Sequence, residues 1–281
     1  MILGSIITYN PDINLLFDNI EAVINQVDKV IIIENDSNNK TEVITQIKKK
    51  YENIEIIVNP QNVGVAGALN QALSYAESNN FKWLLSLDQD SVCEEKFIYK
   101  YKNYLRECNT KEILLLCPNI VDINVKNKNL VNDNIEEVDM AITSGSFLNV
   151  ENSMKIGGFL NELFIDYVDF EFCLRGRGLN LKIFKLNNVN LYHRLGDIKE
   201  KNFLKYKIIV TNHSPFRRYY LYRNKIFIYK RYFNKNRRWV MRNIFSSFKT
   251  FFIIILYEDY KAENLKNIFR GIKDGLYLQE K

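Results

Sequence analysis

The chain predicts an α/β fold with a doubly wound sheet, and three observations carry that expectation. Short apolar runs alternate with segments of helical periodicity over residues 2–91, the connections between them are short, and each apolar run ends in a polar cluster. Strand–helix repeats joined by short links favour right-handed crossovers and parallel pairing. In such a sheet ligands lie beyond the carboxyl ends of the strands.

The elements follow in order. Ile2 to Thr8 is a short apolar run suited to a buried parallel strand. Asn10-Pro11 reads as a cap and a first-turn proline, and Ile13, Leu16, Phe17, Ile20, Val23, Ile24 and Val27 then recur at helical spacing. Lys29 to Ile33 is a second strand, ended by Glu34-Asn35-Asp36-Ser37-Asn38-Asn39, and Thr41 to Tyr51 forms a helix. Ile54 to Val58 is a third strand, ended by the polar run Asn59 to Gly64; the Ala- and Leu-rich stretch Val65 to Ser78 is a helix; Phe81 to Leu87 is a fourth strand. From Ser214 onward the pattern is helical, with Pro215 in a first turn and further helical stretches at Arg242 to Tyr257 and Asp259 to Leu276. The expected division is an α/β domain over 1–200 and a basic, aromatic-rich helical region over 201–281.

Composition narrows the function classes. At 281 residues and 47% apolar content the chain can bury a substantial core. Cys93, Cys108, Cys117 and Cys173 show no C-x-x-C spacing and read as reduced thiols of a cytoplasmic protein. The N-terminus lacks a basic n-region and reads as a first strand. No apolar run reaches the ~20 residues of a membrane span; the longest candidate is Phe251 to Tyr257. No glycine stands between the first strand and its helix, which argues against a dinucleotide fingerprint, and no P-loop is present. His193 and His213 belong to no close His/Cys cluster, which argues against zinc. Lys199 to Lys249 carries fifteen Lys or Arg against one acid, Glu200, in a chain of net charge +6, and aromatics such as Tyr219, Tyr220, Tyr222 and Trp239 are interleaved with it. Such a block suits an anionic partner, whether nucleic acid, membrane surface or phosphate-bearing substrate. It equally suits a solvated cationic face with its aromatics packed inward.

Leu87-Asp88-Gln89-Asp90-Ser91 is the most informative stretch. Side chains at i and i+2 of a strand face one side, so a strand continuing past Asp88 would pair the two carboxylates. Two such ligands suit Mg²⁺ or Mn²⁺ shared with substrate phosphates; the alternative is a strand ending in a polar turn. A second acidic cluster, Asp166, Asp169 and Glu171, begins an amphipathic segment ending in Arg175. Acidic side chains also favour a helix N-terminus through the macrodipole, and Glu171 and Arg175 have the i,i+4 spacing of a modest surface pair.

Taken in order, Ile6-Ile7-Thr8-Tyr9-Asn10-Pro11, Ile33-Glu34-Asn35-Asp36-Ser37, Asn62 to Asn70 and Leu87-Asp88-Gln89-Asp90-Ser91 resemble the inverting glycosyltransferases of family 2. The resemblance continues through Ser144-Gly145-Ser146, Gly157-Gly158-Phe159-Leu160-Asn161-Glu162, Phe164 to Arg175 and Tyr192-His193-Arg194-Leu195-Gly196-Asp197. It covers roughly residues 1 to 225 and is most similar to the bacterial rhamnosyltransferase branch. It implies a GT-A fold, a Rossmann-like doubly wound mixed sheet with a C-terminal helical extension. It also implies a nucleotide-diphosphosugar donor such as dTDP-L-rhamnose and a divalent metal, Mg²⁺ or Mn²⁺.

The resemblance further implies roles. Thr8, Tyr9 and Asn10 fall at the nucleoside pocket, with Glu34 where relatives carry a base-contacting aspartate and Asp36 as the nearby alternative. Asn62 and Gly64 lie in the loop and helix beside the nucleotide, and Leu69 replaces an arginine of many relatives. Asp88 approaches the ribose and the metal, Asp90 ligates the metal, and His193 reaches the metal or diphosphate. An inverting transfer needs one base opposite the leaving group, and Asp169 holds that motif position, with Val168 where many relatives carry Glu. Arg217 and Arg218 either grip a diphosphate, of the donor or of a lipid-linked acceptor, or belong to the solvated basic face.

The expected acceptor is a saccharide or a polyprenyl-diphosphate-linked saccharide of bacterial surface polysaccharide synthesis. The helical tail either lies peripherally on the cytoplasmic face of the inner membrane, or packs on the catalytic domain, or forms a homodimer contact. Within the family the rival is a UDP-hexose donor. Outside it the rival is a non-catalytic nucleic-acid-binding protein, which leaves both acidic clusters unexplained; no nucleic-acid partner is expected.

Overall fold

The computed structural model describes residues 1–122, 134–193, 199–203, 206–210 and 212–279. The chain divides into two compact units, Met1–Asn161 with Val168–Arg194, and Glu162–Tyr167 with Leu195–Lys281.

The first unit opens with four strand–helix repeats: β1 (Ile2–Thr8), α1 (Ile13–Val23), β2 (Lys29–Glu34), α2 (Lys40–Lys50), β3 (Glu55–Val58), α3 (Gly64–Ser78) and β4 (Trp83–Asp88). It continues with β5 (Val92–Cys93), α4 (Phe97–Arg106), β6 (Ile113–Asp122), β7 (Ile135–Glu137), β8 (Phe147–Asn149), α5 (Val150–Lys155), α6 (Val168–Arg177) and β9 (Lys182–His193). The sheet order is β3-β2-β1-β4-β8-β6-β9-β5, with β7 paired to β9. β3, β2, β1 and β4 are parallel, β8 runs antiparallel to β4 and β6, and β6 is parallel to β9, so the sheet is mixed as expected. The winding reverses at β1: the chain steps outward to β2 and β3, then returns to pair β4 on the other side. Such a switch point opens a crevice at the carboxyl ends of the strands, here beside Thr8 and Asp88.

Burial explains the apolar runs. Leu3, Ile6, Ile31, Ile32, Ile33, Leu84, Leu85 and Leu87 have no exposed surface, as central strands covered on both faces require. Phe147 stacks between Trp83 and Tyr101, at centroid distances of 4.9 and 5.2 Å. One local expectation is corrected. Asp12 caps α1, accepting from the backbone N–H of Asn14 and Leu15, so Asn10 and Pro11 precede the helix and Asn10 takes a left-handed φ of 49°. The short side chain of Asp12, one residue further on, meets the orphan N–H groups.

The second unit contains the antiparallel pair β10 (Lys199–Phe203) and β11 (Tyr206–Val210), then α7 (Pro215–Tyr232), α8 (Arg237–Tyr257) and α9 (Lys261–Tyr277). The hairpin was not foreseen in a region read as helical. Ser214 caps α7 by accepting from Arg217 N–H, with Pro215 in the first turn. Gly271 and Gly275 bring α9 so close to α7 that a Cβ at either would strike the backbone of Tyr219 or Arg223. α8, 21 residues long with a mean hydropathy of 1.3 over its apolar window, is long and apolar enough to cross a membrane. Arg242 and Lys249 interrupt its apolar residues, so no continuous apolar run marks its length.

Candidate active site

The strand tips at the switch point are tied together by side chains. Gln89 clamps the backbone of Tyr9: its Oε1 accepts from Tyr9 N–H at 2.8 Å and its Nε2 donates to Tyr9 O at 3.3 Å. Thr8 is buried with its hydroxyl toward Ile33 O, and the Tyr9 ring is half exposed. Asn10 N–H donates to Ser37 Oγ, and Asn10 Oδ1 accepts from Asn38 N–H. Two neighbouring loops are thereby fixed before any ligand arrives.

Glu34 and Asp36 exchange the order of priority the sequence suggested. Glu34 is fully buried at the end of β2, and its two oxygens accept the backbone N–H groups of Asp36 and Ser37, at 3.1 and 2.8 Å. A carboxylate shaping its own loop in this way would have to give up two charge-assisted bonds to meet a base. Asp36, held at φ 66°, is partly exposed and pairs with Lys40 Nζ at 2.7 Å, so it is the better placed acid for a ligand.

An amide network joins the next tip. Asn35 Nδ2 donates to Asn62 Oδ1, Asn35 Oδ1 accepts from Val63 N–H and Asn59 Nδ2, and Asn62 Oδ1 accepts from Gly64 N–H at 2.8 Å. Gly64 starts α3 at φ 77°. Further along α3, Asn70 exchanges two bonds with the backbone of Phe159 and donates to Asn161 Oδ1. A 690 Å³ groove along α3, lined by Val63, Gly67, Gln71 and Tyr75 among others, has Tyr75 as its one titratable lining side chain.

The acidic pair sits at the crevice. β4 ends at Asp88, and Ser91 N–H closes a turn on Asp88 O at 3.2 Å. Asp90 therefore lies in a turn, and strand alternation does not set its direction. Asp88 N–H donates to Ser144 Oγ at 3.0 Å, and Asn19 Nδ2 donates to Asp88 O. Ser91, fully buried, lies 2.8 Å from both Ser144 Oγ and His193 Nδ1. His193 Nδ1 is also 3.7 Å from Asp90 Oδ1. The β5–β9 pairing, with Val92 opposite Tyr192, carries His193 across 102 residues of sequence to this turn. Arg194 and the rest of that motif through Asp197 lie outside the described residues.

Among the described residues no three His, Cys, Asp or Glu side chains converge as a ready metal cage. Asp90 and His193, with Asp88 close to Asp90 in the chain, are the side chains that could hold a hard divalent ion, for which substrate phosphates and water would have to supply further ligands. Ser91 engages Nδ1 of His193, so Nε2 is the ring nitrogen that would be left for a metal.

Asp169 lies in the first turn of α6 and accepts from Phe170 N–H at 2.8 Å. The Glu171–Arg175 pair is no surface contact, and that expectation is corrected: Glu171 is fully buried and meets Arg175 through both oxygens. Arg175 also donates to Ile156 O and Gly158 O. Its length lets it satisfy a buried acid and pin the preceding glycine loop at once.

In the second unit the expected basic grip is engaged internally. Arg217 holds Asp166 through Nε and Nη2, the shortest contact 2.9 Å. Arg218 is 1% exposed and pairs with buried Glu258. Asn224 Nδ2 donates to Leu163 O, Ile165 O and Asp166 O. The loop it holds has Phe164, Asp166 and Tyr167 at φ 62°, 63° and 64°, a costly run for non-glycine residues. Burial, with Arg218 adding repulsion, pulls the Lys225 ammonium down to about 8. Burial, then Arg217 and Arg218, pull His213 down to about 4. Burial and the neighbouring Tyr229 push the Tyr167 phenol up.

A mixed sheet with an Asp-x-Asp turn at its switch point accords with a nucleotide-sugar transferase, and sequence comparison gives the family. The chain matches Glycosyl transferase family 2 over residues 5–154. It belongs to that family and is a glycosyltransferase of GT-A fold. It is 27% identical over 299 residues to dTDP-rhamnosyl transferase RfbF of Shigella flexneri, covering 98% of this chain and 95% of that protein. Among solved structures it is similar to GalNAc-T7 with UDP, GalNAc and Mn²⁺, at TM-score 0.64 and 10% identity over 99% of this chain. This chain spans 56% of the GalNAc-T7 chain. It is also similar to residues 1–349 of S. aureus TarS in complex with UDP-GlcNAc, at TM-score 0.54 and 13% identity, covering 99% of this chain and 73% of that one. These structural likenesses speak to the fold.

Proposed function

We propose that the protein transfers L-rhamnose from dTDP-L-rhamnose, with inversion, to a hydroxyl of a saccharide or lipid-linked saccharide acceptor. The 27% identity to a dTDP-rhamnosyl transferase along nearly the whole of both chains supports this donor. The Asp90–His193–Ser91 cluster at the switch point supports the chemistry. The α/β unit is assigned the donor and the catalytic step. The unpaired, largely buried thiols fit a reducing cytoplasm.

Thr8, Tyr9 and Asn10 line the nucleoside side, with Asp36 rather than Glu34 offering an acceptor to the base edge. Asn62 and Gly64 shape the adjoining wall. Asp88, Asp90 and His193 would hold Mg²⁺ or Mn²⁺, which supplies positive charge to the departing nucleotide diphosphate. Asp169 takes the proton of the acceptor hydroxyl as its oxygen forms the new bond to the anomeric carbon, and the bond to the diphosphate breaks on the opposite face. With Arg217 and Arg218 committed to Asp166 and Glu258, they are assigned to holding the second unit together.

The test is a thermal-shift panel of dTDP, UDP and GDP, each with and without Mn²⁺, followed by transfer from dTDP-L-rhamnose. Metal-dependent stabilisation by dTDP is expected. Stabilisation by UDP alone would replace the donor with a UDP-hexose, and no nucleotide response with or without metal would overturn the assignment.

A further inference from the structure

The second unit carries an apolar stripe that its own packing leaves uncovered. Met241, Phe245, Phe248, Phe252 and Leu256 recur along α8 at spacings of four, three, four and four, which places them on one helix face. They are 38%, 66%, 60%, 60% and 58% exposed. Only 11% of the helix's apolar window is buried. On α9, Phe269 and Tyr277 are also exposed, and Phe269 meets Phe251 edge-on. A contiguous row of large exposed apolar side chains marks an interaction surface.

Charge identifies the partner. α8 contains no acid, and Arg237, Arg238, Arg242 and Lys249 stand exposed along it. A second copy docked through this face would bring its own four cations against these, whereas an anionic lipid surface would neutralise them. Phe and Leu on one side of a helix with Arg and Lys beside them is the composition of a helix lying in a bilayer interface. The opposite side of α8 is committed to its own unit: Val240 and Ile254 are fully buried, and Ile254 packs with Tyr222 and Ile268. A helix held along one side in this way lies in the interface plane and does not cross the bilayer.

We infer that α8 is a membrane-docking helix whose Phe245–Phe248–Phe252 stripe inserts among the acyl chains of an anionic leaflet while its basic residues meet the headgroups. This docking does not depend on which sugar the enzyme moves. It deepens the proposed function by delivering the active site to acceptors that are themselves lipid-linked.

The experiment is flotation of the full chain with vesicles of phosphatidylcholine, with and without phosphatidylglycerol, alongside the triple variant Phe245→Ser/Phe248→Ser/Phe252→Ser. Wild type is expected to float with the phosphatidylglycerol vesicles, and the triple variant to lose at least about tenfold in partitioning. The substituted side chains are mostly in solvent, so circular dichroism and Tm should stay unchanged. Arg237→Ser/Arg238→Ser/Arg242→Ser, whose side chains are also exposed, should weaken binding and remove its salt sensitivity. Wild type that ignores anionic vesicles, or a triple variant that binds them as well as wild type, overturns the inference. So does a wild-type dimer in sedimentation that the triple variant turns to monomer without any vesicle binding, since the stripe would then serve a second copy.

Discussion

Ser91 Oγ sits 2.8 Å from His193 Nδ1, a contact made across 102 residues of chain and buried on the serine side. It engages one ring nitrogen of His193, and outer partners of this kind commonly govern metal affinity. Ser91→Ala should therefore weaken Mn²⁺ activation by about 10–100-fold while leaving saturated activity closer to wild type. Titration of initial rate against Mn²⁺ reads this directly.

Asp90→Ala removes a carboxylate from a partly exposed turn. Transfer should fall below detection with Tm within a degree or two of wild type. Retained activity at saturating Mn²⁺ would remove Asp90 from the metal site.

Asp169→Asn keeps shape and loses basicity. A drop of about 10²–10⁴-fold in kcat is expected, the usual contribution of a general base, with donor KM held near wild type. A change confined to KM would assign Asp169 to binding instead.

Asn224→Leu strips three donated bonds from the carbonyls of Leu163, Ile165 and Asp166. Leu163 O keeps Arg223 and Ile165 N–H as donors while the part-buried carbonyls of Ile165 and Asp166 lose the Asn224 amide, and a cost of about 1–3 kcal/mol is expected in denaturant unfolding. The left-handed run at residues 164–167 should relax with it, so kcat should fall as well, since Asp169 follows two residues later in the chain.

Lys225 gives a pH signature. Its pKa falls from 10.5 to about 8, through burial first and Arg218 second, with Asp166 opposing and the Tyr222 ring 4.8 Å away. Between those values the unfolded chain holds the extra proton, so stability rises with pH across the window; below about 8 the buried ammonium is a standing cost. Lys225→Met should raise Tm at pH 7, by at most about 3 kcal/mol of stability, and the advantage should vanish as pH passes 10.

The four strand–helix repeats were legible because buried parallel strands leave uninterrupted apolar runs such as Lys29 to Ile33, and their polar ends mark the ligand side. The resemblance names Asp88, Asp90 and His193 together, but the cross-strand ladder that brings His193 to the Asp90 turn was not legible, since pairing partners a hundred residues apart leave no periodicity. The bonds of Glu34 to its own loop were illegible for a related reason: an acid at a strand tip reads the same whether it faces outward or caps its own loop. Arg218 and Glu171 misled because charge reads as exposure, and burial of a charged pair depends on a partner that only the fold supplies.

The six residues Glu162–Tyr167 fold as part of the helical unit, and the very next residue begins the helix bearing Asp169. A protein shortened to its α/β portion would keep every strand of the large sheet and both acidic motifs, yet would strip Asp166 of Arg217 and three carbonyls of Asn224. The tail is thus not an optional attachment, and truncation should silence the enzyme even where the nucleotide still binds.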